Sequence, residues 1–253
     1  MGKRSFRQDN SGQVLIVSAL LVALLLLSTA LYVIDVGKDI PTVDANEGNV
    51  FSGYQQSTRS ALISALSNAT GGGNTDILGA DLAELRTVLL SNSYQAMLTM
   101  DYSTLNSSGY ENGLRISWGA DGKGVSSAYT TFVFGSSSPL VTSNLEYTIN
   151  VTSAVNLGGS YRQLNETTKQ VNLTISVFNE GKPTLANEFV FSYINPSGWI
   201  QVDSQNTTNF GNGTYTASFT ADTLQLNDPL VVSLLCQDTR GISIGATVTC
   251  TST

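Results

Sequence analysis

The chain of 253 residues contains no histidine. That absence removes the commonest general base near neutral pH, the usual nitrogen ligand of zinc, and every serine–histidine triad. Cysteine occurs only as Cys236 and Cys250, with no Cys-x-x-Cys pair for metal or redox chemistry. Charged residues make up 12% of the chain, and beyond the first seven residues lysine and arginine are nowhere clustered. A nucleic-acid partner is therefore excluded, because phosphate binding needs such clusters. No D-x-[DN]-x-[DN]-G run offers a calcium loop, and Asp121, Glu146, Glu166 and Asp203 stand singly, without the grouping that paired-carboxylate catalysis requires. The glycine-rich stretch Gly119-Ala120-Asp121-Gly122-Lys123-Gly124 lacks the GxxxxGK[ST] spacing of a phosphate loop and precedes no helix, so it is expected to be a hairpin turn. No catalytic residue, cofactor or metal site is expected, and the chain reads as a non-enzyme.

What the chain does have is one long apolar run. Val14 to Ile34, VLIVSALLVALLLLSTALYVI, holds 21 residues without a charge. As a helix it would span roughly 30 Å, the thickness of a bilayer core. Lys3, Arg4 and Arg7 precede it, whereas Asp35 and Asp39 follow with only Lys38 between them. The positive-inside bias then keeps the N-terminus in the cytoplasm and places the rest outside, as a single-pass protein of the cell membrane in contact with lipid. Ser28-Thr29-Ala30 supplies the small residues of a signal-peptidase site, but Leu31, Tyr32, Val33 and Ile34 prolong the apolar run past it, as in an uncleaved signal anchor.

A short basic leader, then Gly12-Gln13, then a long apolar helix resembles the class III signal of archaeal type IV pilin-like proteins, over residues 3–36. The resemblance implies cleavage after Gly12, a mature chain beginning at Gln13, and helices that bundle into a filament core through self-association.

Beyond the apolar run the chain is acidic, with nine basic against seventeen acidic residues over 37–253. Such a balance favours solubility in an ion-rich exterior. Seven N-x-Ser/Thr sequons begin at Asn68, Asn106, Asn150, Asn165, Asn172, Asn206 and Asn212, all after the apolar run, and are candidate N-glycosylation sites. In an oxidising exterior Cys236 and Cys250 are expected to pair between neighbouring strands, closing a short loop and contributing about 3 kcal/mol.

Periodicity divides the exposed part. Val50, Phe51, Tyr54, Thr58, Ala61, Leu62, Ala65, Leu66 and Ala69 recur at three and four, which predicts a helix over 46–70 ended by Gly71-Gly72-Gly73. Leu78, Leu82, Leu85, Val88, Leu89, Ala96 and Met97 predict a second helix from Asp76 to Met100, so that 37–110 would form a helical stalk or hairpin. After Gly109 the pattern alternates. Strands are expected at Leu114–Trp118 and Ala128–Phe134 within a β-hairpin region over 111–143. Further strands are expected at 144–155, 169–178, 187–194, 198–203, 213–220, 229–236 and 246–252, a number and spacing that suit a β-sandwich. Gly213-Thr214-Tyr215-Thr216-Ala217-Ser218-Phe219 is similar to a strand common in prokaryotic surface-protein Ig-like modules, which implies an Ig-like sandwich over 144–253. Trp118, Trp199 and Tyr215 are candidates for a carbohydrate-binding surface, although core packing explains such aromatics more simply.

The sequence thus leads to an α+β class: a basic leader (1–13), a transmembrane signal anchor (14–36), a helical hairpin, then an antiparallel β-rich region ending in an Ig-like β-sandwich. The expected role is adhesion, envelope structure or contact with another surface protein, and the alternative is a pilin-like filament subunit.

Overall fold

Helix α1 (Glu47–Thr70) has the stripe its periodicity predicts, with Thr58, Leu62, Ala65, Leu66 and Ala69 all buried. It stops where Gly72 adopts φ +96°, a left-handed conformation that glycine takes without penalty. The Gly71 and Gly73 N–H groups then donate to the freed carbonyls of Ser67 and Asn68. The structure is a computed structural model and describes residues 47–91, 97–137, 142–223 and 230–253. Residues 54–253 form one compact unit, while 47–53, the first turns of α1, belong to another. The apolar run Val14–Ile34, Gly12-Gln13 and Ser28–Ala30 lie outside the described residues.

Helix α2 (Ile77–Ser91) begins where the Asn74 side chain accepts the Asp76 N–H, and it buries Leu78 and Leu82. Twelve strands follow among the described residues: β1 (Met97–Thr104), β2 (Leu114–Trp118), β3 (Lys123–Ser137), β4 (Thr142–Gln163), β5 (Thr168–Asn179), β6 (Lys182–Pro183), β7 (Ala186–Asn195), β8 (Gly198–Gln201), β9 (Asn206–Asn209), β10 (Thr214–Asp222), β11 (Leu230–Asp238) and β12 (Ser243–Ser252). They join into one sheet whose main path runs β8-β7-β11-β12-β4-β5-β10-β9, with β1, β2 and β3 continuing from β4, and β6 beside β5. Every pairing is antiparallel except β12 with β4.

The longest strand explains this continuity. The first half of β4 pairs with β3 from Thr142↔Ser137 to Asn156↔Lys123, and its second half pairs with β5 from Ser153↔Asn179 to Gln163↔Lys169. Because side chains alternate along all of β4, its first half turns Ile149 and Val151 toward the core beneath α1, and its second half turns Val155 and Leu157 into the main core. The path also curls on itself. Its two ends, β8 and β9, are joined by only residues 202–205, and rings from its two arms meet across the core, with Phe191 of β7 6.0 Å from Phe219 of β10 and Phe189 4.7 Å from Tyr215.

Both helices dock on strands. From Tyr54 onward α1 lies on the sheet, where the Tyr54 ring stacks 5.2 Å from Phe134 and the Thr58 hydroxyl shares a 3.0 Å hydrogen bond with the Tyr147 hydroxyl. Further along, the Ser67 hydroxyl donates to the Gly241 carbonyl at 2.8 Å, and the Thr70 hydroxyl accepts the Ser243 N–H at 3.0 Å. Helix α2 is held by β1, through Tyr102 Oη donating to the Gly79 carbonyl and through the exposed Arg86–Asp101 pair.

Several sequence expectations are corrected. The α+β arrangement of a helical hairpin followed by a separate Ig-like sandwich does not form; the described residues are mostly one large mixed sheet carrying two helices. No helical hairpin stalk spans 37–110, because α2 ends at Ser91 and residues 97–104 are strand β1. The boundary expected at 143/144 falls inside the ladder shared by β3 and β4. Among the described residues no helix is long and apolar enough to cross a membrane.

Candidate functional site

The most connected polar cluster joins α1, β4 and two turns. At the end of β11, Asp238 is fully buried, and its Oδ1 accepts the N–H groups of Arg240 at 2.8 Å and Ile242 at 3.0 Å. Its Oδ2 accepts Arg240 Nε at 2.8 Å and the Ser153 hydroxyl at 2.7 Å. The rest of the Arg240 guanidinium donates to Glu180 Oε1, to the Thr152 carbonyl and to Ser153 Oγ. Glu180 and Gly181 have φ of 47° and 76°, the two left-handed residues of a tight hairpin between β5 and β6. That turn swings Glu180 back over β4, where Arg59 of α1 also reaches it at 3.2 Å. Every charge in the cluster meets an opposite one, and Asp238 is saturated by donors. The arrangement clamps four elements together.

Outside the core the sheet presents two contrasting faces. On β4, β5, β10 and β9 the outward residues form cross-strand rows: Ser160, Asn172, Ser218 and Asn206 in one, and Gly158, Thr174, Thr216 and Thr208 in the next. The face consists of short hydroxyl and amide side chains. At its end a shallow groove of about 310 Å³ is lined by Asp121, Lys123, Asn156, Leu157, Thr174 and Ser176. On the outward face of β11, β7 and β8 two apolar pairs, Leu235 opposite Val190 and Ile194 opposite Trp199, flank a polar row of Ser233, Ser192 and Gln201, and the four apolar residues are 38–52% exposed. Trp118 of β2, itself 42% exposed, lies against Gly245, the partner of Leu235 on β12, and so extends the Leu235–Val190 pair by one strand.

The sequence-predicted residues fall as follows. Cys236 and Cys250 are both buried free thiols, and the disulfide expected between them does not form. They do lie on adjacent strands, but Cys236 pairs with Ile244 and Cys250 with Leu230. Six residues of strand separate them, roughly 20 Å, three times the span a disulfide bridges. Burial pushes the Cys236 thiol up to about 12, with the nearby Asp238 charge adding to it, and burial pushes Cys250 up to about 11. All seven sequon asparagines are exposed. The three aromatics do not meet as a platform. Tyr215 is buried, with its hydroxyl accepting the Ala186 N–H at 2.7 Å, while Trp118 and Trp199 stand on β2 and β8. Gly119–Gly124 forms the expected turn, closing β2 onto β3 through Gly119 N–H to the Lys123 carbonyl. Asp121 caps it by accepting the Lys123 N–H, and Glu146, Glu166 and Asp203 occupy β4, the β4–β5 turn and the β8–β9 link. Among the described residues no three His, Cys, Asp or Glu side chains are grouped to hold a metal ion.

Sequence reasoning missed both the Arg240 cluster and the exposed apolar pairs. The pairs had a signal, since β7 and β11 carry apolar residues at both parities of their alternation. The cluster had none, because its members are far apart in the chain. No family model matches the chain, and no curated protein matches it.

Proposed function

We propose that the chain is a non-enzymatic surface protein, held at the membrane by Val14–Ile34 and displaying its β-rich part outside the cell for adhesion, envelope structure or contact with another protein. One observation carries this reading: the exposed apolar residues Trp118, Leu235, Val190, Ile194 and Trp199, which stand on one face of an acidic molecule. Apolar residues gathered on one face and rimmed by polar ones are typical of protein contact surfaces, with tryptophan prominent among their anchors. The pilin-like alternative rests on Gly12-Gln13 and the apolar run that follows, which would leave a filament subunit beginning at Gln13.

Mass spectrometry of the N-terminus of the native chain separates these outcomes. An intact leader is the anchored protein, a start at Gln13 the filament subunit, and a start at Leu31 a secreted form. A full-length chain that stays in the soluble cell fraction and resists membrane-impermeant biotin on whole cells would sink the surface reading altogether.

A further inference from the structure

Exposure does not discriminate among the seven sequons, because every one of their asparagines is exposed. Availability of the reacting groups does. Transfer of a glycan to asparagine needs a carboxamide free to turn out of conjugation, together with an accessible hydroxyl two residues on. At Asn68 the threonine is sealed, since Thr70 is buried with its hydroxyl donating to the Ser67 carbonyl and accepting the Ser243 N–H. At Asn106 the side-chain oxygen is held by the Asn112 N–H at 2.6 Å. The Asn150 oxygen accepts the hydroxyls of Ser127 and of its own sequon threonine, Thr152. The Asn165 oxygen accepts the N–H groups of Thr167 and Thr168, and the Asn212 oxygen accepts the Thr214 N–H.

Two sequons remain. Neither Asn172 with Thr174 nor Asn206 with Thr208 has a side-chain hydrogen bond among the described residues, and all four residues are exposed. They also belong together. Asn172 and Asn206 both lie opposite Ser218, one on each side, and Thr174 and Thr208 both lie opposite Thr216. The asparagines are thus two strand spacings apart, about 10 Å, on the same outward face. Their cross-strand neighbours Ser160, Ser218 and Thr216 are too short to obstruct either one.

The geometry points to Asn172 and Asn206 as the asparagines that receive N-linked glycans from a lipid-phosphate-linked oligosaccharide, clothing the outer face of β4, β5, β10 and β9. The inference rests on the surface-display reading above, since the donor is used outside the cytoplasm. In the transfer, Asn Nδ2 forms a bond to the anomeric carbon of the sugar. The bond from that carbon to the phosphate oxygen breaks, the lipid phosphate leaves with the electron pair, and the Nδ2 proton passes to a carboxylate of the transferase. A side-chain oxygen tied to nearby backbone or hydroxyl donors resists the rotation this step demands. Asn206 lies on β9, which ends the sheet path among the described residues, so a glycan there also covers an edge strand, the kind of strand that invites pairing with another chain. The apolar face with Leu235, Val190, Ile194 and Trp199 lies on the other arm of the sheet and stays bare.

Glycopeptide mass spectrometry on the full chain isolated from its own cells reads occupancy at each site, and impermeant biotin on the same cells reads display independently. Occupancy at Asn172 and Asn206 is expected to exceed that at each of the other five by roughly tenfold, about the effect of one retained hydrogen bond. Asn172→Gln, Asn206→Gln and Thr174→Ala should each remove one glycan mass while biotin labelling persists. Glycans mainly at Asn68, Asn106, Asn150, Asn165 or Asn212 would overturn the assignment. So would bare Asn172 and Asn206 on a chain that biotin labels. A bare chain that biotin does not reach would overturn the display reading and this inference with it.

Discussion

Thr130 sits on β3 between Thr104 of β1 and Ile149 of β4, fully buried, and among the described residues its hydroxyl is the one buried side-chain polar atom without a hydrogen-bond partner. A buried hydroxyl left unpaired costs about 1 to 3 kcal/mol, and valine has nearly the same shape. Thr130→Val is therefore expected to stabilise the fold by about 1 kcal/mol, measured as a rise of a few degrees in Tm; a fall in Tm would show that the hydroxyl is satisfied. The two thiols give a pH dependence of definite sign. Their pKa values rise on folding from 9.0 to about 12 for Cys236 and about 11 for Cys250. A group that binds its proton more tightly when folded contributes stability that is fully present below its unfolded pKa and is lost as pH climbs through the folded one. Stability should thus fall from about pH 9 upward, by about 1.4 kcal/mol per pH unit for each thiol. The Cys236→Ala/Cys250→Ala double variant should be less stable at pH 8 because of the cavities it leaves, yet show a shallower alkaline decline. Tyr147, also pushed up by burial, accounts for part of the slope that remains. Equal slopes in the parent and the double variant would refute the assignment to cysteine.

At the scale of elements, α1, the β5–β6 turn and the turn after β11 are held to β4 through Arg240. Its side chain is 16% exposed and that of Asp238 0%, whereas Glu180 is 33% exposed. Removing one member of a buried pair leaves the other charge unpartnered, so Arg240→Ala should cost about 3 kcal/mol, and Glu180→Gln, nearer solvent, less than about 1 kcal/mol. Chemical denaturation of the two variants checks the order, and a larger loss for Glu180→Gln would reverse this account of the clamp. Elements themselves were largely legible in the sequence. The Leu114–Trp118 strand, the Gly119–Gly124 turn and the alternation of Val171, Leu173, Ile175 and Val177 depend on near neighbours. What could not be read was where β4 stops. The expected strand ends at residue 155, yet the ladder to β5 passes on through Gly158 and Gly159. Gly159 is required there, since a Cβ would collide with Cys250 Sγ, an atom more than ninety residues away in the chain.

For the whole molecule, the polar and apolar faces lie on different arms of the sheet. Trp199 is 52% exposed on the short edge strand β8, opposite Ile194. Trp199→Ser should leave Tm within about a degree or two, as surface substitutions usually do, while reducing self-association or partner capture severalfold. Analytical ultracentrifugation and a pull-down from the native envelope measure the two, and unchanged binding in both would remove the apolar face from the contact surface. Which residues make up each face could not be read beforehand, because which strands lie side by side is a property of the closed path. The lost disulfide has the same cause. Sequence correctly put both cysteines on inward faces of neighbouring strands, but pairing depends on register, and register placed Cys250 opposite Leu230.

The sequence by itself determined the exclusions that follow from having no histidine, the charge-free run from Val14 to Ile34, the β-rich character after Gly109 and the inward parity of its strands. These rest on composition and on periods of two and 3.6 residues, which are local. Tertiary structure alone decided that β4 joins two regions into one sheet, that α1 and α2 dock on strands instead of each other, that the thiols stay apart, and that only two of seven sequons keep their reacting groups free. Each of these turns on contacts between distant residues, which form only when the chain closes and which no local period encodes.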